Sequence, residues 1–292
     1  MNISTTTSQF VKKIGVRNTI QLLKDAGFDC FDVYLESHVP EIDELFTAED
    51  YVEKAKTIRA WADEIGISCN QTHAAAPTSR GDERDEGIFN VMVRSIEVSA
   101  IFGAKIIVIH PNQHLNYADH QRELFPMNVA FYKRLVPYAE KFGIKIATEN
   151  MWQDNNGSRI PSDSVCSRAW EFNELIDAVD SPYLVGCLDI GHVSLMGADI
   201  PKFIHDMGAK RIQALHIHDT DFVNDSHTLP FLEKVDYVAV AKALGEIGYS
   251  GDFTFEIPYF FAKFPAELLL PAAKLACETG KYLAGILEEA KL

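Results

Sequence analysis

Glu140-Lys141-Phe142-Gly143-Ile144-Lys145-Ile146-Ala147-Thr148-Glu149 holds the plan of the chain in one short stretch. An amphipathic, helix-like segment that begins near Arg122 stops at Phe142. Glycine follows, the residue that takes the left-handed backbone of a helix end without strain. Then comes a short, mostly apolar run that ends in a carboxylate. A run that is apolar on both faces suits a parallel strand covered on both sides. An ionisable group at the end of such a run is costly to bury unless it is used.

The same unit recurs outward in both directions. Gly27, Gly66, Gly103, Gly143, Gly208 and Gly248 each separate an amphipathic stretch from an apolar run, at intervals of 39, 37, 40, 65 and 40 residues. The long interval contains one further run, 184–189, introduced by Ser181-Pro182 in place of glycine. Strands are therefore expected at 2–6, 30–36, 67–73, 105–110, 144–149, 184–189, 211–218 and 252–257. Helical patterns fill the spaces at 19–26, 48–64, 86–102, 122–142, 169–179, 200–207, 237–247 and 266–289. Eight β-then-α units in order predict an α/β protein of the closed (β/α)8 TIM barrel type. No linker, low-complexity stretch or composition break asks for a second domain, so residues 1–292 are expected to form a single barrel domain. A doubly wound open sheet is the alternative, but the first strand-helix turn lacks GxGxxG and no organic cofactor is expected.

Bulk properties narrow the function. With 47% hydrophobic residues the chain can bury a large core, and a formal net charge of -15 opposes a polyanionic partner. No basic run is present, so nucleic acid is not an expected partner. The five cysteines, Cys30, Cys69, Cys166, Cys187 and Cys277, are scattered without a CxxC and read as reduced core residues. No signal peptide pattern and no apolar run of membrane-spanning length is visible, so the expectation is a cytoplasmic protein with no membrane partner. The sequence leaves the oligomeric state open, a homo-oligomer included.

The ends of the expected strands carry the chemistry. The second run ends in Glu36, the third in His73, the fourth in His110, the fifth in Glu149, the sixth in Asp189 with His192 in the next turn, the seventh in His216 and the eighth in Glu256. Asp225 and His227 follow His216 within one loop. All strand C-termini of a parallel barrel open on one face, where such enzymes hold their active sites. Two carboxylates about 4 Å apart repel by roughly 4 kcal/mol at an effective dielectric near 20, so a rim carrying Glu149, Asp189 and Glu256 needs a cation or a proton. One divalent metal ion, Mn²⁺, Zn²⁺, Co²⁺ or Mg²⁺, held by three carboxylates and an imidazole, meets that need and leaves positions for substrate.

Plainer roles compete with each assignment. His110 and His192 can be hydrogen-bonding partners around a metal, and His73 and Glu36 can be ordinary rim groups. His218 is expected to turn away from His216 along the strand and to anchor the loop. Trp152, Tyr259, Phe260 and Phe261 can wall a sugar or simply pack in the core. His38, His114, His120 and His205 read as loop or helix histidines.

These motifs give the chain a family likeness. ATEN at 147–150, LDIGH at 188–192, HIHD at 216–219, DSH with a following LP at 225–230 and FTFEI at 253–257 stand in order along nearly the whole chain. In this it resembles the xylose isomerase-like TIM barrels, the sugar phosphate isomerase/epimerase superfamily that also holds endonuclease IV. The resemblance implies metal ligands at Glu149, Asp189, His216 and Glu256, with Glu149 and Glu256 also the catalytic acid/base pair. His73, His110, His192, Asp225, His227, Trp152 and Glu36 then bind substrate or support the ligands. Two features depart from the pattern. Pro230-Phe231-Leu232-Glu233 replaces a common PGxG turn, and Phe222 stands where the tagatose/psicose epimerase subgroup has an arginine.

The implied activity is a divalent-metal-dependent isomerase or epimerase of a sugar or sugar phosphate. It would work by proton abstraction next to a carbonyl through a metal-stabilised enediolate. A small-molecule carbohydrate is the expected partner. One alternative is a metal-dependent lyase or dehydratase of a polyol on the same site. Another is a multi-zinc, endonuclease IV-like phosphodiesterase, whose nine-residue pattern is complete in His73, His110, Glu149, Asp189, His192, His216, Asp225, His227 and Glu256; the -15 charge speaks against it.

Overall fold

The eight apolar runs form eight strands: β1 (Ile3–Thr5), β2 (Cys30–Tyr34), β3 (Ser68–His73), β4 (Ile106–Val108), β5 (Lys145–Glu149), β6 (Leu184–Asp189), β7 (Ile212–His216) and β8 (Phe253–Phe255). The computed structural model describes residues 1–154, 157–158 and 160–291. Strands β2 to β7 pair in sequence order as a parallel sheet, and β1 pairs with β8, also parallel. Single parallel bridges, Thr6 with Asp32 and Ile217 with Phe255, join the two sets and close the barrel. The expected (β/α)8 architecture is therefore the one observed.

Glycine punctuates the helices as the sequence predicts. Gly27, Gly66, Gly103 and Gly143 end the helices Val16–Ala26, Tyr51–Ile65, Asp85–Phe102 and Tyr117–Phe142 in the left-handed region, with φ of 94°, 77°, 84° and 69°. The outer ring is richer than expected. Helices Ser8–Ile14, Pro40–Thr47 and Ile190–Leu195 are additions, and an antiparallel hairpin, Trp152–Asp154 with Pro161–Asp163, rises between β5 and Ala169–Val179. Such short elements carry too few residues for a periodicity to show. No helix among the described residues is long and apolar enough to cross a membrane.

Side chains alternate across each strand, so every second residue points into the barrel. Val108, Ala147, Val185, Cys187 and Ala214 form a small buried cluster of their own there, while Ile107, Ile146, Leu188 and Leu215 belong to the larger core beneath the helices. Two residues beyond the inward Ala147 stands Glu149, beyond Cys187 Asp189, beyond Ala214 His216, and beyond Val108 His110. Glu149, Asp189, His216 and His110 are thus the next layer of the barrel interior, brought together by strand register.

Candidate functional site

Glu149, Asp189, His216 and Glu256 come together, each offering one ligand atom within 4.8 Å of all the others. His216 Nδ1 is the common point, 3.2 Å from Glu149 Oε2, 3.5 Å from Glu256 Oε2 and 4.0 Å from Asp189 Oδ2. All four residues are buried. Glu149 Oε2 and His216 Nδ1 have no hydrogen-bond partner among the described residues, so the donor set points at a shared centre of positive charge. Three carboxylate oxygens and one imidazole nitrogen fit a divalent cation with open positions.

Two further groups flank this one. His73 and His110 bring their Nε2 atoms to 3.0 Å of each other and to 3.8 and 3.3 Å of Glu149 Oε2. His73 Nδ1 donates to the Ala74 carbonyl at 2.7 Å, which leaves its Nε2 lone pair aimed inward. On the other side His192, His218, Asp225 and His227 form a second set of candidate ligands. His227 Nε2 lies 3.1 Å from Asp225 Oδ2, and the Trp152 indole donates to the same oxygen at 3.2 Å. His192 Nδ1 donates to the Asn150 carbonyl at 2.8 Å, with Nε2 3.7 Å from Asp225.

The local sequence explains the precision. Asp189 ends β6 and caps the helix Ile190–Leu195, accepting the His192 N–H at 2.6 Å. The Asn150 side chain grips the Asp189 backbone from both sides, at 2.8 Å to its N–H and 2.9 Å to its carbonyl. The Asp219 carboxylate accepts the backbone N–H of Thr220, Glu233 and Val235 at 2.9, 2.8 and 3.0 Å. It therefore ties both ends of the loop that presents Asp225 and His227.

Two expectations need correcting. Glu36 lies beyond the end of β2, accepts the Ala76 N–H at 3.0 Å and lines a neighbouring cavity, so it anchors a loop instead of joining the cluster. His218 does not turn away from His216: residues two apart on an extended segment share a face. Its Nε2 reaches Asp189 at 3.1 Å and its ring stacks on His227 at 3.9 Å. Gly191 makes room for it, since a Cβ there would fall 1.9 Å from the His218 ring. The sequence assigns no role to Asn150, Asp219 or Asp32; Asn150 and Asp219 close the ATEN and HIHD motifs, which is the one signal that marks them.

A cavity of about 410 Å³ opens over the cluster, lined by Tyr34, His110, Trp152, Asp225, Glu256 and Tyr259 among others. That volume lies within the usual range of roughly 300–1,000 Å³ for small-molecule sites. Phe260 and Phe261 are buried in the core instead. Charge inside is strongly coupled. Burial pushes the Glu149 carboxyl up, but His216 and His110 outweigh it and hold it well below the usual range. Burial raises Asp32 to about 7, with His216 opposing. Burial, then His110, lowers His73 to about 4.

The Asp225 and His227 pair sets a pH window for the metal-free protein. Burial opposes both charges, yet His227 and His192 hold Asp225 far below its ordinary value, and Asp225 with Glu256 raises His227 to about 9. The carboxylate contributes stability that is present above its unfolded pKa near ~4 and lost in acid. The imidazolium contributes stability that is full below ~6.5 and is lost as pH rises through about 9. Thermal unfolding in a chelator should therefore show a higher Tm near pH 5.5 than near pH 9.5, and the Asp225→Asn variant should flatten that difference.

A parallel barrel with a ring of buried carboxylates and imidazoles at its C-terminal face is the class that fold and site define. The chain belongs to the family described as "Xylose isomerase-like TIM barrel", whose family model matches residues 20–273. A putative L-ribulose-5-phosphate 3-epimerase of Escherichia coli strain K12, SgbU, is 25% identical over 268 residues, 87% of each protein. An uncharacterised protein of Methanocaldococcus jannaschii is 27% identical over 165 residues, 56% of this chain and 54% of that one. Among solved structures, a D-tagatose 3-epimerase-like protein superposes with a TM-score of 0.77 at 19% identity, covering 99% of both chains. An IolI protein with a bound zinc atom superposes with a TM-score of 0.76 at 19% identity, also over 99% of both chains.

Proposed function

We propose that the protein is a divalent-metal-dependent isomerase or epimerase of a sugar or sugar phosphate. The observation that carries this reading is the convergence of Glu149, Asp189, His216 and Glu256 beneath an open cavity that Glu149 and Glu256 line. The epimerase relative and the zinc in the IolI protein support it. These four residues would hold one ion, Mn²⁺, Co²⁺, Zn²⁺ or Mg²⁺. Bound there, the ion supplies positive charge next to the substrate's carbonyl and neighbouring hydroxyl.

The chain's own groups do the rest. Glu149 comes from β5 and Glu256 from just past β8, three strands apart around the barrel, so they flank whatever lies over His216. One takes the proton from the carbon beside the carbonyl and the other returns one to the opposite face. Trp152, Tyr34 and Tyr259 supply flat walls for a sugar ring or open chain. His227 donates through Nδ1 to the Glu256 carbonyl at 3.1 Å and so holds the end of β8 in place.

A ketose panel incubated in D₂O tests this directly. The expected product carries one deuterium at the carbon next to the carbonyl and has the mass of its substrate otherwise. A product lighter by one water would assign the dehydratase chemistry instead; no exchange with any ketose or ketose phosphate would sink the reading.

A multi-zinc phosphodiesterase is the second reading. One observation favours it: His73, His110 and Glu149, then Glu149, Asp189, His216 and Glu256, then His192, Asp225 and His227 fall into three adjoining ligand groups. The net charge of -15 weighs against a nucleic-acid substrate. Cleavage of abasic DNA by the zinc-loaded protein would reverse the order of the two.

A further inference from the structure

His216 has two buried ring nitrogens, and neither has a hydrogen-bond partner among the described residues. Nδ1 faces the carboxylates that would share an ion with it. Nε2 faces the other way, toward Asp32 on β2, whose Oδ2 lies 3.9 Å off. Asp32 is fully buried, and its Oδ1 has no hydrogen-bond partner either. Gln71 Nε2 donates to Asp32 Oδ2 at 3.0 Å and fixes the plane of the carboxylate.

A buried carboxylate with a free oxygen and a buried imidazole nitrogen with no acceptor are each expensive alone. The Asp32 oxygen within reach of Nε2 is Oδ2, the one that accepts from Gln71, and a carboxylate oxygen has a second lone pair for another donor. The pairing of β2 with β3 slips register between Phe31 and Asp32, where β3 carries the extra residue Asn70, and the slip sets Gln71 directly opposite Asp32. The next barrel contact, the bridge from Thr6, falls on Asp32 itself.

We propose that Asp32 is a positioning residue of the centre, accepting the Nε2–H of His216 and so fixing the tautomer whose Nδ1 lone pair points at the ion. The inference rests on the reading of His216 as a ligand. At 3.9 Å the pair is longer than a hydrogen bond, so the ring closes on Asp32 when Nδ1 is engaged. An imidazole ligated through Nδ1 carries its proton on Nε2, and a carboxylate behind a ligating histidine both orients the ring and raises its basicity. Gln71 then acts one step further out, through Asp32.

Calorimetric titration of the metal-free protein with Mn²⁺ tests this without any substrate. The Asp32→Leu variant should bind the ion about 10 to 100-fold more weakly than wild type. Asp32→Asn, which keeps an acceptor oxygen but no charge, should fall between them. A merely structural residue would lower the Tm of the metal-free protein and leave the ion affinity of the folded fraction unchanged, and that result would overturn the proposal. Wild-type protein carrying ¹⁵N-histidine and loaded with Zn²⁺ gives a second reading that no folding defect can blur. His216 should show its proton on Nε2; a bare Nε2 would overturn the assignment. Failure of wild type to bind Mn²⁺ or Zn²⁺ at all would instead strike the reading of His216 as a ligand.

Discussion

Dialysis against a strong chelator will abolish turnover of whichever ketose the protein accepts, and one equivalent of a divalent cation will restore it. Glu149, Asp189 and Glu256 are buried within ligand distance of one another. Each pair of carboxylates about 4 Å apart carries roughly 4 kcal/mol of repulsion at an effective dielectric near 20. In the metal-free protein that repulsion is met by protons on imidazole. Burial works against the His216 cation, but Cys187, Glu256 and Glu149 push its pKa well above the ordinary value. A proton on Nδ1 relieves the charge but lies between Glu149 and Glu256 on a fully buried ring and cannot chelate a carbonyl and its neighbouring hydroxyl as a divalent ion would, so the metal-free protein should fold and yet be inactive. Full activity after exhaustive chelation would remove the metal from the mechanism. Elemental analysis of the active protein belongs to the same experiment: one ion per chain is expected, and three would favour the phosphodiesterase.

Much of this centre is legible in the sequence. An apolar run that ends in Glu149, Asp189 or His216 exposes its function because burial makes an idle charge costly, and the barrel topology sends every such end to one face. What was hidden has physical reasons too. Glu36 ends its apolar run like the others, but β2 stops at Tyr34, and nothing local marks where a ladder gives way to a loop. His218 follows His216 by two residues, and same-face alternation should have placed it in the site. Asp32 sits inside an apolar run, between Phe31 and Val33, and its partner His216 lies on a strand far along the chain. Only the closure of the barrel brings those two together. Asn150 is marked only as the last residue of ATEN, and its grip on the Asp189 backbone through its amide depends on a contact across 39 residues that the motif does not carry.

Glu256→Gln and Glu149→Gln will each lower kcat by about 10² to 10⁴, the range for losing a general acid or base, and the two variants will differ in a way that assigns their roles. Glu256 Oε2 lies 3.5 Å from His216 Nδ1 and 3.4 Å from His227 Nδ1, so it meets one side of the cluster. Glu149 Oε2 is shared, at 3.2 Å from His216 Nδ1 and 3.3 Å from His110 Nε2, and it has no hydrogen-bond partner of its own. The amide at 149 should therefore weaken metal binding more than the amide at 256. Burial raises the Glu256 carboxyl, while His216 and His227 pull it below its ordinary value, so in the metal-free protein it is a charged carboxylate ready to accept a proton. If Glu149 and Glu256 serve opposite faces of the reacting carbon, each variant still exchanges deuterium from D₂O into one epimer and fails with the other. Wild-type kcat in either variant at saturating Mn²⁺ would take that residue out of the proton transfer. Loss of exchange with both epimers in both variants would mean that the pair acts only as ligands.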